Sequence, residues 1–216
     1  MKKLICFLIL LIFGGFCFFK GWTTIRVDAD KIGIVKSKLK GIRPEPVENG
    51  KFAWYWDFLI PTNATLIKFS ITPVNTTKTI TGKLPLSNND FTSFSFTYSV
   101  SISYSAQNVA DMVKNNLISN QEDLEKYMNN AVDSICQQAS NHIIKKYQMD
   151  SMFRPESIKR NELVRSLDLY RDFPYFDITV FAITDYVLPD YNVYSAANPV
   201  LNTVQDNSDN KSTESN

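Results

Sequence analysis

The side chains able to do chemistry are few, and their spacing does not converge. His142 is the only histidine, which excludes a clustered-imidazole metal centre. Of the three cysteines, Cys6 and Cys17 fall in an apolar segment. Cys136 alone can build neither an intrachain disulfide framework nor a cysteine-based zinc site. The carboxylate pairs Glu122/Asp123 and Asp168/Asp172 have helix spacing. General acid–base work would require one member of a pair with a raised pKa, and solvated helix faces account for both pairs more simply. Ser95, Ser99, Ser101 and Ser103 have no histidine or acid at a spacing that could activate them as nucleophiles. There is no phosphate-cradling glycine loop, nucleophile elbow or HExxH, and no acidic run follows the calcium-loop pattern. Asn63-Ala64-Thr65 and Asn75-Thr76-Thr77 match the glycosylation sequon, which has meaning only on a eukaryotic secretory route. His142 reads as a helix-surface or boundary residue. The sequence therefore leads to an expectation of no catalytic, cofactor-binding or metal-ligating residues, no cofactor, and a protein that is not an enzyme.

The elements around these residues are more informative. An apolar share of 44% and an aromatic share of 13% are enough for a sizeable core. With 23 basic and 22 acidic residues the net charge is +1, so the chain as a whole has no electrostatic footprint for nucleic acid. After Met1-Lys2-Lys3, residues 4–19 run apolar without a charge. As a helix this stretch covers roughly 24 Å at about 1.5 Å per residue, and Lys20 and Trp22 extend its useful length toward a hydrocarbon thickness of roughly 30 Å. Residues 1–22 are accordingly expected to form an N-terminal membrane anchor. Signal-peptide cleavage is the alternative, but Gly15-Phe16-Cys17 and Gly21-Trp22-Thr23 meet the small-residue requirement only loosely. A lipoprotein site would need a small residue before its cysteine, and Phe16 precedes Cys17. The two lysines favour a cytoplasmic N-terminus with the body extracytoplasmic.

Beyond the anchor the periodicity becomes that of strands. Runs at 23–27 and 31–37 are separated by a turn signal at Asp28-Ala29-Asp30. Residues 41–50 read as a loop by their prolines and Asn-Gly end, and 52–60 is an aromatic-rich run ending at Pro61. Trp54-Tyr55-Trp56 reads as core and sheet packing, with a ligand-stacking platform as the alternative. Further strands are expected at 65–71 and 76–81. In 91–104, Phe94, Phe96, Tyr98, Val100, Ile102 and Tyr104 alternate with small hydroxyl residues. That predicts a long strand with one apolar face packed and a hydroxyl face exposed.

A short helix is predicted at 106–116. The S-x-x-E pattern of Ser119 to Glu122 predicts a capping box. A helix of about 25 residues follows, its stripe formed by Leu124, Met128, Ala131, Ile135, Ala139, Ile143 and Tyr147. Arg154-Pro155-Glu156 opens another helical stretch through Ile158, Leu163, Leu167 and Tyr170. Residues 176–188 return to period two through Phe176, Ile178, Val180 and Ala182, and stop at Pro189. The fold class expected is α+β, an antiparallel-rich sheet packed with two to three helices, spanning 23–192 as one domain. Residues 193–216 are expected to be a disordered polar tail.

This order of elements resembles the SPFH, or band 7, family of stomatin, prohibitin and flotillin. The resemblance begins at Val27 to Val35, similar to the family's opening strands after a polar turn. It continues through Gly50 and Leu59-Ile60-Pro61, the strand 65–71, the strand-then-helix of 94–116, and the return strand that closes on Pro189. It covers about residues 25–192. The stretch from Gly50 to Pro61 is longer than in that family, Ser87-Asn88-Asn89-Asp90 replaces a Thr-x-Asp-Gly turn, and a short polar tail stands where a long coiled coil usually follows. The resemblance implies an SPFH-like domain in which the strand before Pro189 shares a sheet with the strands of 27–35. It also implies a membrane-anchored, non-enzymatic scaffold or regulator that self-associates and modulates membrane proteins, including membrane-bound AAA proteases. Its partners would be membrane lipid, other membrane proteins and further copies of itself, with no nucleic acid. The competing expectations are an anchored or secreted ligand-binding module of another α+β fold, using Trp54–Trp56 in a pocket, and an extracytoplasmic hydrolase.

Overall fold

A computed structural model describes residues 2–87, 90–150, 152–165, 167 and 169–198. Asp168, the centre of the 87–90 turn and the tail from 199 lie outside the described residues. The first element, α1 (Lys2–Thr24), is 23 residues long, or about 34 Å at helical rise. It is long and apolar enough to cross a membrane, and only 6% of its most apolar window is covered by the rest of the protein. The strand expected at 23–27 does not form. The helix runs on because the Thr23 hydroxyl donates back to the carbonyls of Phe19 and Lys20 at 2.9 and 3.2 Å, and Ile25 N–H closes the last turn on Trp22 O.

Six strands and two helices follow: β1 (Lys31–Ser37), β2 (Gly41–Ile42), β3 (Val47–Glu48), β4 (Ala64–Ser70), β5 (Val74–Pro85), β6 (Phe91–Ser103), then α2 (Ala106–Lys114) and α3 (Gln121–Met149), of which all but β2 and β3 follow the expected order with shifted bounds. Downstream lie α4 (Arg160–Arg165), α5 (Leu169–Asp172), β7 (Asp177–Val187) and α6 (Tyr191–Ala196). The fold is thus mixed α+β with antiparallel sheets. The single helical stretch expected after Arg154 breaks into a 3-10 turn at Pro155–Ser157 and the two short helices α4 and α5. A helix, α6, occupies the start of what the sequence reads as polar tail.

These residues, expected as one domain, group into two compact units interleaved along the chain. The first unit runs through Pro73 and adds Ser103–Met128 and Tyr175–Asp177. In it β1 is central. β4 pairs along its full length, from Lys31↔Ser70 to Ser37↔Ala64. β2 and β3 divide its other edge, meeting Lys36–Ser37 and Ile32–Gly33. Part of the expected 41–50 loop is therefore strand, recruited because β1 would otherwise leave backbone donors unpaired. Ile32, Ile34, Val35 and Phe69 are fully buried. The start of α3 is stitched to β4 by Gln121, whose side-chain oxygen accepts from Ser70 N–H at 3.0 Å, and Tyr104 donates to Ser70 O at 2.9 Å. Phe176 packs between Tyr104 and Tyr127. The cap of α3 is shifted one residue from the expected box. Asn120 Oδ1 accepts from Asp123 N–H, and Asp123 reaches back to Ser119 N–H, both at 2.9 Å. Asparagine caps as well as serine does, so pattern alone could not choose between the two registers.

The second unit comprises Val74–Ile102, Asn129–Pro174 and residues from Ile178 onward. Its sheet has the order β5-β6-β7, with β5 antiparallel to β6 from Val74↔Ile102 to Pro85↔Phe91. Thr179 bonds Ser101 while Thr184 bonds the Thr97 carbonyl, so β7 is antiparallel to β6 as well. β7 therefore pairs with β6 and not with β1, contrary to the pairing that the family resemblance implies. Phe94, Phe96, Tyr98, Val100 and Ile102 are buried as period two predicts, and all seven residues of the α3 stripe are buried too. The hydroxyl face is not freely exposed. Ser101 is buried and Thr97 bonds Thr79 at 3.0 Å, because β6 is flanked on both edges. In β7 the buried set is Ile178 and Phe181, while Val180 is 47% exposed. The step of three residues from Ile178 to Phe181 changes the phase of the strand, as an extra bulged residue does.

Tyr98 stacks on Phe181 at 5.4 Å and its hydroxyl meets Ser140 Oγ at 2.8 Å. Ser140 Oγ itself donates to Cys136 O, so Tyr98 is the donor of the first bond. Burial pushes the Tyr98 phenol upward and the Cys136 thiol up to about 12. Ser140→Ala leaves the Tyr98 hydroxyl buried without an acceptor and is expected to cost about 1–3 kcal/mol in denaturant unfolding. Adding Tyr98→Phe should recover most of that loss, and a double variant no more stable than Ser140→Ala alone would refute the pairing.

Candidate functional site

The first unit gathers its unusual surface at the end of α1. Trp56–Phe58 forms a 3-10 turn, and Tyr55 before it is extended, with φ −135° and ψ 133°. An extended residue sends its neighbours to the same side, so Trp54 and Trp56 share a face while Tyr55 points the other way. Tyr55, Ala53, Phe58 and Leu66 pack on a cluster of Ile25, Val27, Val35 and Val47. Ile25, which follows the helix directly, and Val27, two residues on, are thus embedded in the core of the sheet.

On the other side the aromatic segment lies against α1 itself. Trp54 Nε1–H donates to Phe18 O at 3.2 Å, and the rings of Phe18 and Phe52 stack at 6.0 Å and 18°. Gly21 makes this approach possible: a Cβ there would stand 2.3 Å from Trp54 Nε1. Trp56 sits edge-on to Trp54 at 4.7 Å and is 68% exposed, as Phe52 is 66% exposed. The three residues expected as core packing therefore divide: Tyr55 joins the core, Trp54 joins the helix, and Trp56 faces outward.

One buried carboxylate clamps this segment. Asp57 Oδ2 accepts from Arg43 Nη2 at 2.7 Å, Ser37 Oγ donates to Oδ1 at 3.3 Å, and Lys40 Nζ lies 3.7 Å away. Arg43 also stands 4.2 Å over the Tyr55 ring. The Arg43 hydrogen bond holds the Asp57 carboxyl below the usual carboxylate range, with Lys40 assisting against the effect of burial. Sequence reading missed Asp57, since a single acid after a tryptophan gives no pattern. The Asp57 backbone carbonyl accepts from Asn63 Nδ2 at 3.2 Å. The first sequon asparagine is therefore buried and engaged, while Asn75 is exposed on β5.

Beside the end of α1 lies a groove of about 360 Å³, lined by Trp22, Arg26, Glu48, Lys51 and Phe52 among others. Its aromatics are Trp22 and Phe52 and not the Trp54–Trp56 run. Among the described residues the carboxylate candidates do not come together. Glu122 pairs with Lys126, Asp123 caps α3, and Asp172 accepts from Gln138 and Arg171. His142 is half-buried on α3, and its Nε2 has no hydrogen-bond partner among the described residues. Burial, then Lys146, holds its pKa below the ordinary imidazole value. Among the described residues no group of three or more His, Cys, Asp or Glu side chains could hold a metal ion.

Gly21→Leu is expected to lift Trp54 from the helix, red-shift tryptophan emission and lower stability by about 1–3 kcal/mol. Emission and denaturation midpoint both matching the unmodified protein would rule out the docking. For Asp57 the folded pKa is depressed, so its stabilisation is present above the unfolded value of about 3.9 and is lost as pH falls through the lower folded value. Asp57→Asn should therefore lower the urea midpoint at pH 7. The difference from the unmodified protein should shrink below about pH 4, and a difference independent of pH would contradict the clamp.

No family model matches the sequence. The chain is 22% identical over 207 residues to an uncharacterized protein of Treponema pallidum (strain Nichols), covering 89% of this chain and 69% of that protein.

Proposed function

We propose that this chain is a membrane-anchored, non-enzymatic scaffold or regulator that self-associates at the bilayer and modulates other membrane proteins. The observation that carries the reading is α1: a membrane-length apolar helix with 6% of its most apolar window covered, joined to the body through Trp54, Phe52 and the buried Ile25. An apolar helix left bare in water is costly at about 25 cal/mol per Å², and a bilayer removes that cost. Because the exit of the helix is docked and not a free linker, the body is kept near the bilayer surface. That confinement raises its effective concentration toward other membrane proteins.

The order of elements along the chain supports the SPFH-like reading, and the pairing of β7 with β6 in place of β1 counts against it. Lys2 and Lys3 support a cytoplasmic N-terminus with the body outside, and Lys20, Arg26 and Lys31 on the other flank weigh against it. The hydroxyl face of β6 is engaged by neighbouring strands, which leaves the outer face of α3, with exposed Glu122, Glu125 and Lys126, as the contact surface favoured here.

In vesicles or intact cells, the protein should resist alkaline carbonate extraction, expose its C-terminal region to protease only from the extracytoplasmic side, and crosslink into multimers. Release by carbonate would sink the anchor. Strictly monomeric protein in mild detergent, with no crosslinked product from membranes, would sink the scaffold.

A further inference from the structure

We infer that the groove at the exit of α1 binds the headgroup of an anionic phospholipid, with Arg26 as its principal cation. Arg26 is exposed and, among the described residues, has no ion pair or hydrogen bond from its side chain. Its cationic neighbours are otherwise occupied. Lys31 and Lys68 share Asp28 at 3.4 and 3.5 Å, and Lys51 holds Glu48 at 2.8 Å. That last pair neutralises the only carboxylate lining the groove. Arg26 also lines a second recess, together with Thr23, Asp28 and Lys68, where Asp28 is held by Lys31 and Lys68.

Its backbone is pinned by buried neighbours on both sides, Ile25 and Val27, two residues beyond the end of α1. The position of the cation relative to the helix end is therefore set by the fold. A guanidinium fork matches two phosphate oxygens at once. Trp22 and Phe52, the aromatic walls, are the side chains that partition to the boundary between headgroups and acyl chains. A soluble phosphate would have no use for those walls, whereas a phospholipid presents its phosphate and its glycerol–acyl portion together.

The charge distribution agrees. Residues 20–73 carry nine Lys or Arg against five Asp or Glu, and residues 74–216 carry twelve against seventeen. A net charge near zero thus conceals a positive segment directly after the helix, suited to an anionic bilayer surface. The inference rests on the anchored reading above but not on self-association.

The full chain in nonionic detergent, titrated with phosphatidylglycerol, should show a saturable change in tryptophan emission. Phosphatidylcholine should produce none, and inorganic phosphate should act only at far higher concentration. Arg26→Ala should raise the half-saturating phosphatidylglycerol fraction by about tenfold or more, and Arg26→Lys by less, because the point charge survives while the fork does not. Phosphatidylcholine acting as well as phosphatidylglycerol, inorganic phosphate saturating the same signal as tightly, or Arg26→Ala titrating like the unmodified protein would each overturn the site. Carbonate extraction separates the two readings. Arg26→Ala should stay in the membrane while losing the headgroup preference, whereas extraction of the unmodified protein would remove the anchored premise itself.

Discussion

Among the described residues most of α1 has no protein partner, and the fold touches it over its last two turns. There a backbone carbonyl at Phe18 accepts a hydrogen bond from Trp54, a glycine at 21 leaves room for the indole, and Phe52 stacks on Phe18. The seam depends on a small residue on the helix facing a large one on the body. A helix that reached the body through a flexible linker would set no geometry. This one is followed by Ile25 and Val27, which are part of the sheet's own core, so helix and sheet are joined by packing as well as by the chain.

The polar chemistry of the first unit serves that seam. Asp57 is buried but surrounded by Arg43, Ser37 and Lys40, so its charge is compensated where an unpaired carboxylate would be expelled. Its neighbours along the chain are Trp56 and Phe58, and fixing Asp57 fixes the turn that presents them. In the second unit the buried polar groups do a different task. The Tyr98–Ser140–Cys136 chain satisfies a phenol in the middle of an apolar sheet face, and the threonine hydroxyls of β5 and β7 tie the strands on either side of β6. Neither unit brings together, among the described residues, a nucleophile with a base or a set of metal ligands.

Long, strongly periodic elements were legible from residue order: α1 as an apolar run, β6 from strict alternation, and the buried stripe of α3 at steps of three and four. Each of these carries a signal repeated over many residues. What escaped was decided by single residues or by pairing. The cap of α3 fell on Asn120 because two residues in a row were competent caps. The 23–27 run looked like a strand because Thr, Ile and Val favour strands, yet the Thr23 hydroxyl bonded back into the helix. β2 and β3 are two residues each, too short for any period to register.

The sequence by itself determined that a membrane-length apolar helix precedes an α+β body, that a disulfide framework within the body and a clustered-imidazole metal centre are excluded by count, and which face of β6 and of α3 is apolar. Those properties follow from composition and local period, which do not depend on distant residues. Tertiary structure alone decided that β7 joins β6 and not β1, that Trp54 belongs to the helix while Tyr55 belongs to the core, and that Arg26, unpaired among the described residues, stands beside a groove. Each of these depends on residues that are far apart in the chain and meet only on folding, as Phe18 meets Trp54 and Thr179 meets Ser101. The apolar segment after Met1 thus gains a specific partner surface that its own residues could not disclose.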